Sequence, residues 1–115
     1  MTGPAADVIR RRRERRQELL AIARAFAQQL DAELGVQQVI VFGSVARGDF
    51  SDHSDVDVLV IATDLPGRAL DRNARIGIPP PGVEFVAWTP AELARERQRG
   101  NPITVDVDAH GIMVG

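Results

Sequence analysis

Residues 42–60 read Phe42-Gly43-Ser44-Val45-Ala46-Arg47-Gly48-Asp49-Phe50-Ser51-Asp52-His53-Ser54-Asp55-Val56-Asp57-Val58-Leu59-Val60. The run predicts the end of one strand, a tight turn and the start of a second strand. Gln37–Phe42 is a short apolar, β-branched segment stopped by Gly43-Ser44. Val45–Gly48 predicts a short helical turn that Ser44 can cap. Asp49–Ser54 is a polar loop, and Asp55–Ala62 is the second strand. Side chains alternate along a strand, so Asp55 and Asp57 share a face, roughly 6–7 Å apart. Two such charges at the head of an apolar strand repel each other and lose hydration. A divalent cation removes both penalties, and two ions about 3.5–4 Å apart fit such a clamp.

By themselves the two acids read equally well as residues of a solvated turn. Gly43-Ser44 adds a second signal. A glycine at a strand end lets the backbone approach a ligand closely. The N–H groups of Ser44 and Val45 then open a helical turn suited to phosphate, with Arg47 in reach of the same anion. Arg47 either touches phosphate or pairs with Asp49 or Asp52 and shapes the loop. An anion cradle beside paired carboxylates matches a metal-bound triphosphate. Two rival loops do not fit. Gly43-x4-Gly48 has the spacing of a P-loop, but Asp49 stands where lysine is needed. Asp49–Asp57 lacks the sixth-position glycine of a calcium loop and leads into a strand.

Outward from this segment, Ala5–Leu34 predicts a long helix, with Leu19, Ile22, Ala23, Phe26, Ala27, Leu30 and Leu34 on one stripe and Gly35 at its C-cap. Thr63–Pro81 reads as irregular, with a short helix around Arg68–Ile76. Pro79-Pro80-Pro81-Gly82 excludes helix interior and central strand. Val83–Trp88 is a third strand. Thr89 as N-cap, Pro90 at the first helical position and Glu92 as the capping-box partner open a helix to about Gln98. Gly100–Pro102 breaks it, and Ile103–Val107 and Ile112–Val114 predict short strands or an extended tail. The expected class is α/β (α+β): one domain over residues 1–115, with a small mixed β-sheet flanked by helices.

Composition sets limits. The chain has 115 residues, 44% of them hydrophobic and 26% charged, as in an ordinary globular domain. With no Cys and only His53 and His110, a cysteine or histidine metal cage is excluded, which leaves oxygen ligands and hence Mg²⁺ or Mn²⁺. All 14 basic residues are arginine, so no lysine nucleophile exists. No apolar stretch is long enough to span a membrane, and no signal-peptide pattern follows the basic N-terminal segment, so a cytoplasmic location is expected. The net charge of −2 and the few aromatics argue against a dedicated nucleic-acid module.

Gly43-Ser44-x-Ala46-Arg47-Gly48 followed by Ser54-Asp55-x-Asp57-x-x-Val60 resembles the signature of the nucleotidyltransferases of the DNA polymerase beta superfamily, above all the minimal stand-alone proteins of prokaryotes. The resemblance implies that Gly43 and Ser44 bind triphosphate, Asp55 and Asp57 hold the metals, and ATP is the substrate. It implies a third carboxylate on a later strand. Glu84 is the only acid of Val83–Val86; it departs from the more usual aspartate, and it otherwise reads as an exposed residue on a strand edge. The expected chemistry is transfer of a nucleoside monophosphate, AMP from ATP, to a hydroxyl of a protein or small molecule. Relatives resembling the chain act as antitoxins towards a helical HEPN-type partner. No acceptor domain is visible, so a partner protein is expected. The alternative is a catalytically weak nucleotide-binding or partner-binding regulatory subunit with the same fold.

Other residues read more plainly. Arg10–Arg13, Arg15 and Arg16 form a basic run that either meets an acidic partner or nucleic acid or is a solvated helix face. Arg68, Arg72 and Arg75 read as a surface loop or as contacts to phosphate or acceptor. His53 reads as exposed, His110 as exposed or structural, and Trp88 as core or partner-facing.

Overall fold

The computed structural model describes residues 3–115. Helix α1 spans Pro4–Gln29, with proline in its first turn. The predicted run to Leu34 is divided. Leu30 turns extended, and the Asp31 carboxylate accepts the Glu33 amide at 2.8 Å. A side-chain cap of this kind gives the backbone an alternative to continuing the helix. A 3₁₀ turn, Ala32–Leu34, comes next, and left-handed Gly35 ends that turn rather than the long helix.

Strand β1 (Val36–Phe42) leads into the short helix α2 (Gly43–Arg47), and β2 (Val56–Ala62) runs back antiparallel to β1. Helix α3 is Ala69–Ile76 and β3 is Val83–Trp88, which pairs parallel to β2. Helix α4 (Pro90–Gln98) starts on the predicted capping box: Thr89 Oγ1 accepts the Glu92 amide, and Glu92 Oε1 accepts the Thr89 amide. Helix α5 (Pro102–His110) precedes β4 (Ile112–Met113), which pairs antiparallel to β1. The mixed sheet has the order β3-β2-β1-β4.

Helix α5 corrects the expectation of a strand at Ile103–Val107. Asn101 is an N-cap whose side chain accepts the Ile103 amide, and Pro102 fills the first helical position. Thr104 and Val107, three apart, then face inward together. The strand preference of β-branched residues yields to this packing.

Strand alternation splits the core in two. Val39, Val41, Val56, Val58 and Val60 face α1, where Leu19, Ala23 and Phe26 pack on them. Ile40, Leu59 and Ile61 face the other way, against Leu93 of α4 and Val107 of α5, with Trp88 half-buried alongside. Asp57 has the parity of Leu59 and Ile61. It therefore lies on the α4/α5 face, at the end of the sheet where α5 leaves a cleft.

Candidate active site

The register brings the predicted site residues to one sheet end. Asp57 is paired laterally with Phe42 on β1 and with Glu84 on β3. Paired residues of neighbouring strands point to the same face, so the Asp57 and Glu84 side chains stand side by side. Asp55 falls one residue before β2, not on it, and is exposed; Glu84 is exposed too, while Asp57 is half-buried.

Gly43 is dictated by this arrangement. Its φ of +77° lies in the left-handed region, and a Cβ there would collide with the Asp57 carboxylate. Only glycine lets the turn close against that acid. Gly43, Ser44, Arg47 and Asp57 line a cleft of about 750 Å³ whose opposite wall is α5, through Ile103, Val105, Asp106 and His110. Glu84 opens instead onto a neighbouring depression with Asn73, Ile78 and Phe85.

Electrostatics single out Asp57. Burial pushes its carboxyl above the usual range, and the charges of Glu84, Asp55 and Asp106 push it further; Arg47 opposes them. The local field therefore favours a cation. The donor set consists of hard oxygen ligands, which fits Mg²⁺ or Mn²⁺. As the side chains lie, no three Asp, Glu, His or Cys groups among the described residues stand close enough together to hold an ion. Asp55 and Glu84 are exposed, so their side chains are free to change rotamer.

Arg47 pairs with Asp49 at 3.2 Å, one of the two loop acids expected, and not with Asp52. It also pairs with Asp106 at 3.1 Å. Asp106 additionally accepts the Gly43 amide at 2.6 Å. Reading the α5 segment as a strand hides this residue; the Asn101-Pro102 cap is the signal that could have revealed it.

The basic run is not a uniformly solvated face. Arg16 donates to the carbonyls of Val45 and Ala46 at 3.0 and 2.9 Å, and Arg12 donates to Gly48 at 3.0 Å while lying over the Phe50 ring. These arginines satisfy the C-terminal carbonyls of α2, whose other end meets the cleft. Arg72 and Arg75 serve the scaffold. Arg72 pairs with Glu92 at 2.7 Å and donates to Ala87 O, and Arg75 pairs with Asp31 at 2.9 Å. Burial opposes ionisation of Glu92, but the Thr89 amide and Arg72 outweigh it, and its pKa falls.

A family model described as a nucleotidyltransferase domain matches residues 22–107. Two Methanocaldococcus jannaschii proteins named as candidate protein adenylyltransferases are similar. One is 57% identical over 35 residues, which is 30% of this chain and 24% of that protein. The other is 39% identical over 51 residues, 43% of this chain and 52% of that protein. The protein adenylyltransferase MntA of Thermococcus cleftensis is 38% identical over 50 residues, 44% of this chain and 50% of its own length. The matched stretches thus span half or less of two of these relatives and just over half of the third. A crystal structure described as a candidate nucleotidyltransferase from Sulfolobus solfataricus shares the fold, with a TM-score of 0.64 at 20% identity over 89% of this chain and 84% of that one. The family match runs from within α1, through the signature turn and all three long strands, into α5: the chain belongs to the nucleotidyltransferase domain family.

Proposed function

We propose that the chain transfers AMP from ATP to a hydroxyl group of a protein acceptor, using Mg²⁺ or Mn²⁺ held by Asp55, Asp57 and Glu84. The observation that carries this reading is the close packing of Gly43 on Asp57, which joins the signature turn to the acid that most needs a cation. A bound divalent ion would neutralise phosphate charge and make the acceptor hydroxyl more acidic. Ser44 and the amides of its turn would hold the polyphosphate, with Arg47 neutralising charge at its side. Glu84 would accept the hydroxyl proton at the exposed end of β3. The acceptor oxygen bonds to the α-phosphorus as the bond from that phosphorus to the bridging oxygen breaks, and pyrophosphate leaves with the electron pair.

The cleft is open and Glu84 is exposed, which suits a macromolecular acceptor better than an enclosed small molecule. The adenylyltransferase names of the relatives support the same choice. The acceptor we favour is a small helical HEPN-type protein, with the chain acting as its antitoxin in the cytoplasm. The test is incubation with labelled ATP, Mg²⁺ and the product of the gene adjacent to this chain's own. Label should appear on the partner and vanish with Asp55→Asn/Asp57→Asn. Absence of labelling, together with no uptake of manganese or ATP by calorimetry, would sink the proposal.

A second reading is a catalytically weak regulatory subunit. It draws on the three acids standing apart as they lie and on Asp106 holding the Gly43 amide. In that case partner binding survives Asp55→Asn/Asp57→Asn while no label is transferred by either protein.

A further inference from the structure

Asp106 stands outside the signature segment and has no role in the reaction above. Its side chain is only 16% exposed on the cleft wall. Its Oδ2 takes the Gly43 N–H at 2.6 Å and the Arg47 guanidinium at 3.1 Å. An amide has one proton, and here it is already donated to a carboxylate, a strong charge-assisted bond. A phosphate oxygen that is to reach Gly43 must take the place of the Asp106 oxygen. It must also tolerate the acid left beside it.

Helix α5 itself is held in place. Asn101 caps it, the Thr104 hydroxyl donates to Asn101 O, Val107 is buried in the core, and the strand after it pairs with β1. The carboxylate is the movable part, since rotation about its own torsions carries it away from Gly43 without shifting the backbone. Arg47 keeps Asp49 as a partner when Asp106 leaves, so the guanidinium stays beside the cleft.

We propose that Asp106 is a resident anion competing with phosphate for the Gly43 amide and Arg47, and that it thereby sets the negative charge a ligand must carry to enter. A polyphosphate chain displaces it; a single phosphate group does not. The inference rests on the polyphosphate reading of this cleft.

The experiment is calorimetric titration of inorganic tripolyphosphate, and separately of orthophosphate, both with Mg²⁺, into the full chain and its Asp106→Ala and Asp106→Asn variants. Thermal melts accompany each titration. Asp106→Ala should bind tripolyphosphate about tenfold tighter than wild type, equivalent to ~1.4 kcal/mol, and should acquire measurable orthophosphate binding. Asp106→Asn keeps an acceptor oxygen without the charge and should fall between. Should the alanine variant fail to fold, the asparagine variant decides. Equal or weaker tripolyphosphate binding in folded variants overturns the inference alone, because Asp106 then supports the turn rather than competing for it. No binding to any of the three proteins removes the polyphosphate reading, and this inference with it.

Discussion

Replacing Asp57 by asparagine should stabilise the metal-free protein while abolishing its response to divalent ions. Asp57 is half-buried and paired laterally with Glu84 on the next strand, whose backbone runs about 4.8 Å away. Two unit charges about 4–5 Å apart repel by ~1 kcal/mol in water-like surroundings and by several times more in protein-like ones, which sets the scale for such a pair. Asp57 keeps substantial solvent contact, so screening holds the value near the lower end, about 1 kcal/mol. For a chain of this size that corresponds to a rise in Tm of about 4 °C.

The sign comes from linkage. The folded-state pKa of Asp57 is raised, first by burial and then by Glu84 and Asp55. Its contribution is therefore favourable below the ordinary carboxylate range and is lost as pH climbs through the raised value. The Tm difference between Asp57→Asn and wild type should grow across that acidic window and level off towards neutrality. Divalent metal should then reverse the order. At a hundredfold excess over its Kd, Mg²⁺ or Mn²⁺ stabilises the binding form by about 2.7 kcal/mol, which wild type gains and Asp57→Asn does not. Scanning calorimetry of both proteins, with chelator and with metal, reads all four values. A variant no more stable than wild type in chelator refutes the repulsion. An equal metal-induced rise in both proteins shows that the cation sits elsewhere.

Gly43→Ala forces a side chain into a left-handed position and against Asp57; it should cost about 1–3 kcal/mol in urea unfolding and weaken ATP binding. Wild-type stability and affinity in that variant would mean the turn can open without consequence. Arg16→Ala strips two α2 carbonyls of their donor and should lower stability by about 1.5–3 kcal/mol; a loss under about 0.5 kcal/mol would assign those carbonyls to water. Glu92→Ala removes both the capping-box acid and the partner of nearly buried Arg72, a loss of about 2–4 kcal/mol. Because the Glu92 pKa is lowered, the wild-type advantage over this variant should be complete above the usual glutamate range and fade as pH falls through the depressed value. A pH-independent difference would leave the cap without its charge.

The signature segment is legible because each of its features has a local cause. Gly43 and Ser44 follow the end of a strand, and Asp57 keeps the period-two parity of β2, so its face can be read from the sequence; Asp55, expected on the same strand, falls just before it. The lateral pairing of Asp57 with Glu84 is not readable as a register, because parallel strands are joined by long crossovers that carry no spacing rule. Helix α4 is announced by Thr89-Pro90-x-Glu92. The chemically equivalent Asn101-Pro102 is masked because isoleucine, threonine and valine, all strand formers, dominate the next turn of chain. That single ambiguity conceals the far wall of the cleft and with it Asp106. The contacts of Arg12 and Arg16 with α2 are equally hidden. A run of arginines shows its charge in sequence, but which of them turn inward depends on where the helix lies against the sheet.

The distribution of ion pairs bears directly on the site. The chain carries 14 arginines, and several scaffold acids pair with them, among them Glu92 with Arg72, Asp108 with Arg97 and Asp31 with Arg75, while Glu14, Asp52, Asp64 and Asp71 form no ion pair among the described residues. Among the described residues, no ion pair reaches Asp55, Asp57 or Glu84. The arginine lining the cleft, Arg47, is held by Asp49 and Asp106 instead. An arginine seated against Asp57 would relieve the repulsion permanently, and it would stabilise the fold in the way that neutralising Asp57 should. It would also occupy the place proposed for the divalent cation. Under the proposed metal-binding role, leaving Asp57 without a basic partner keeps its place open to an exchangeable divalent ion, and stability and activity should then move in opposite directions at Asp57.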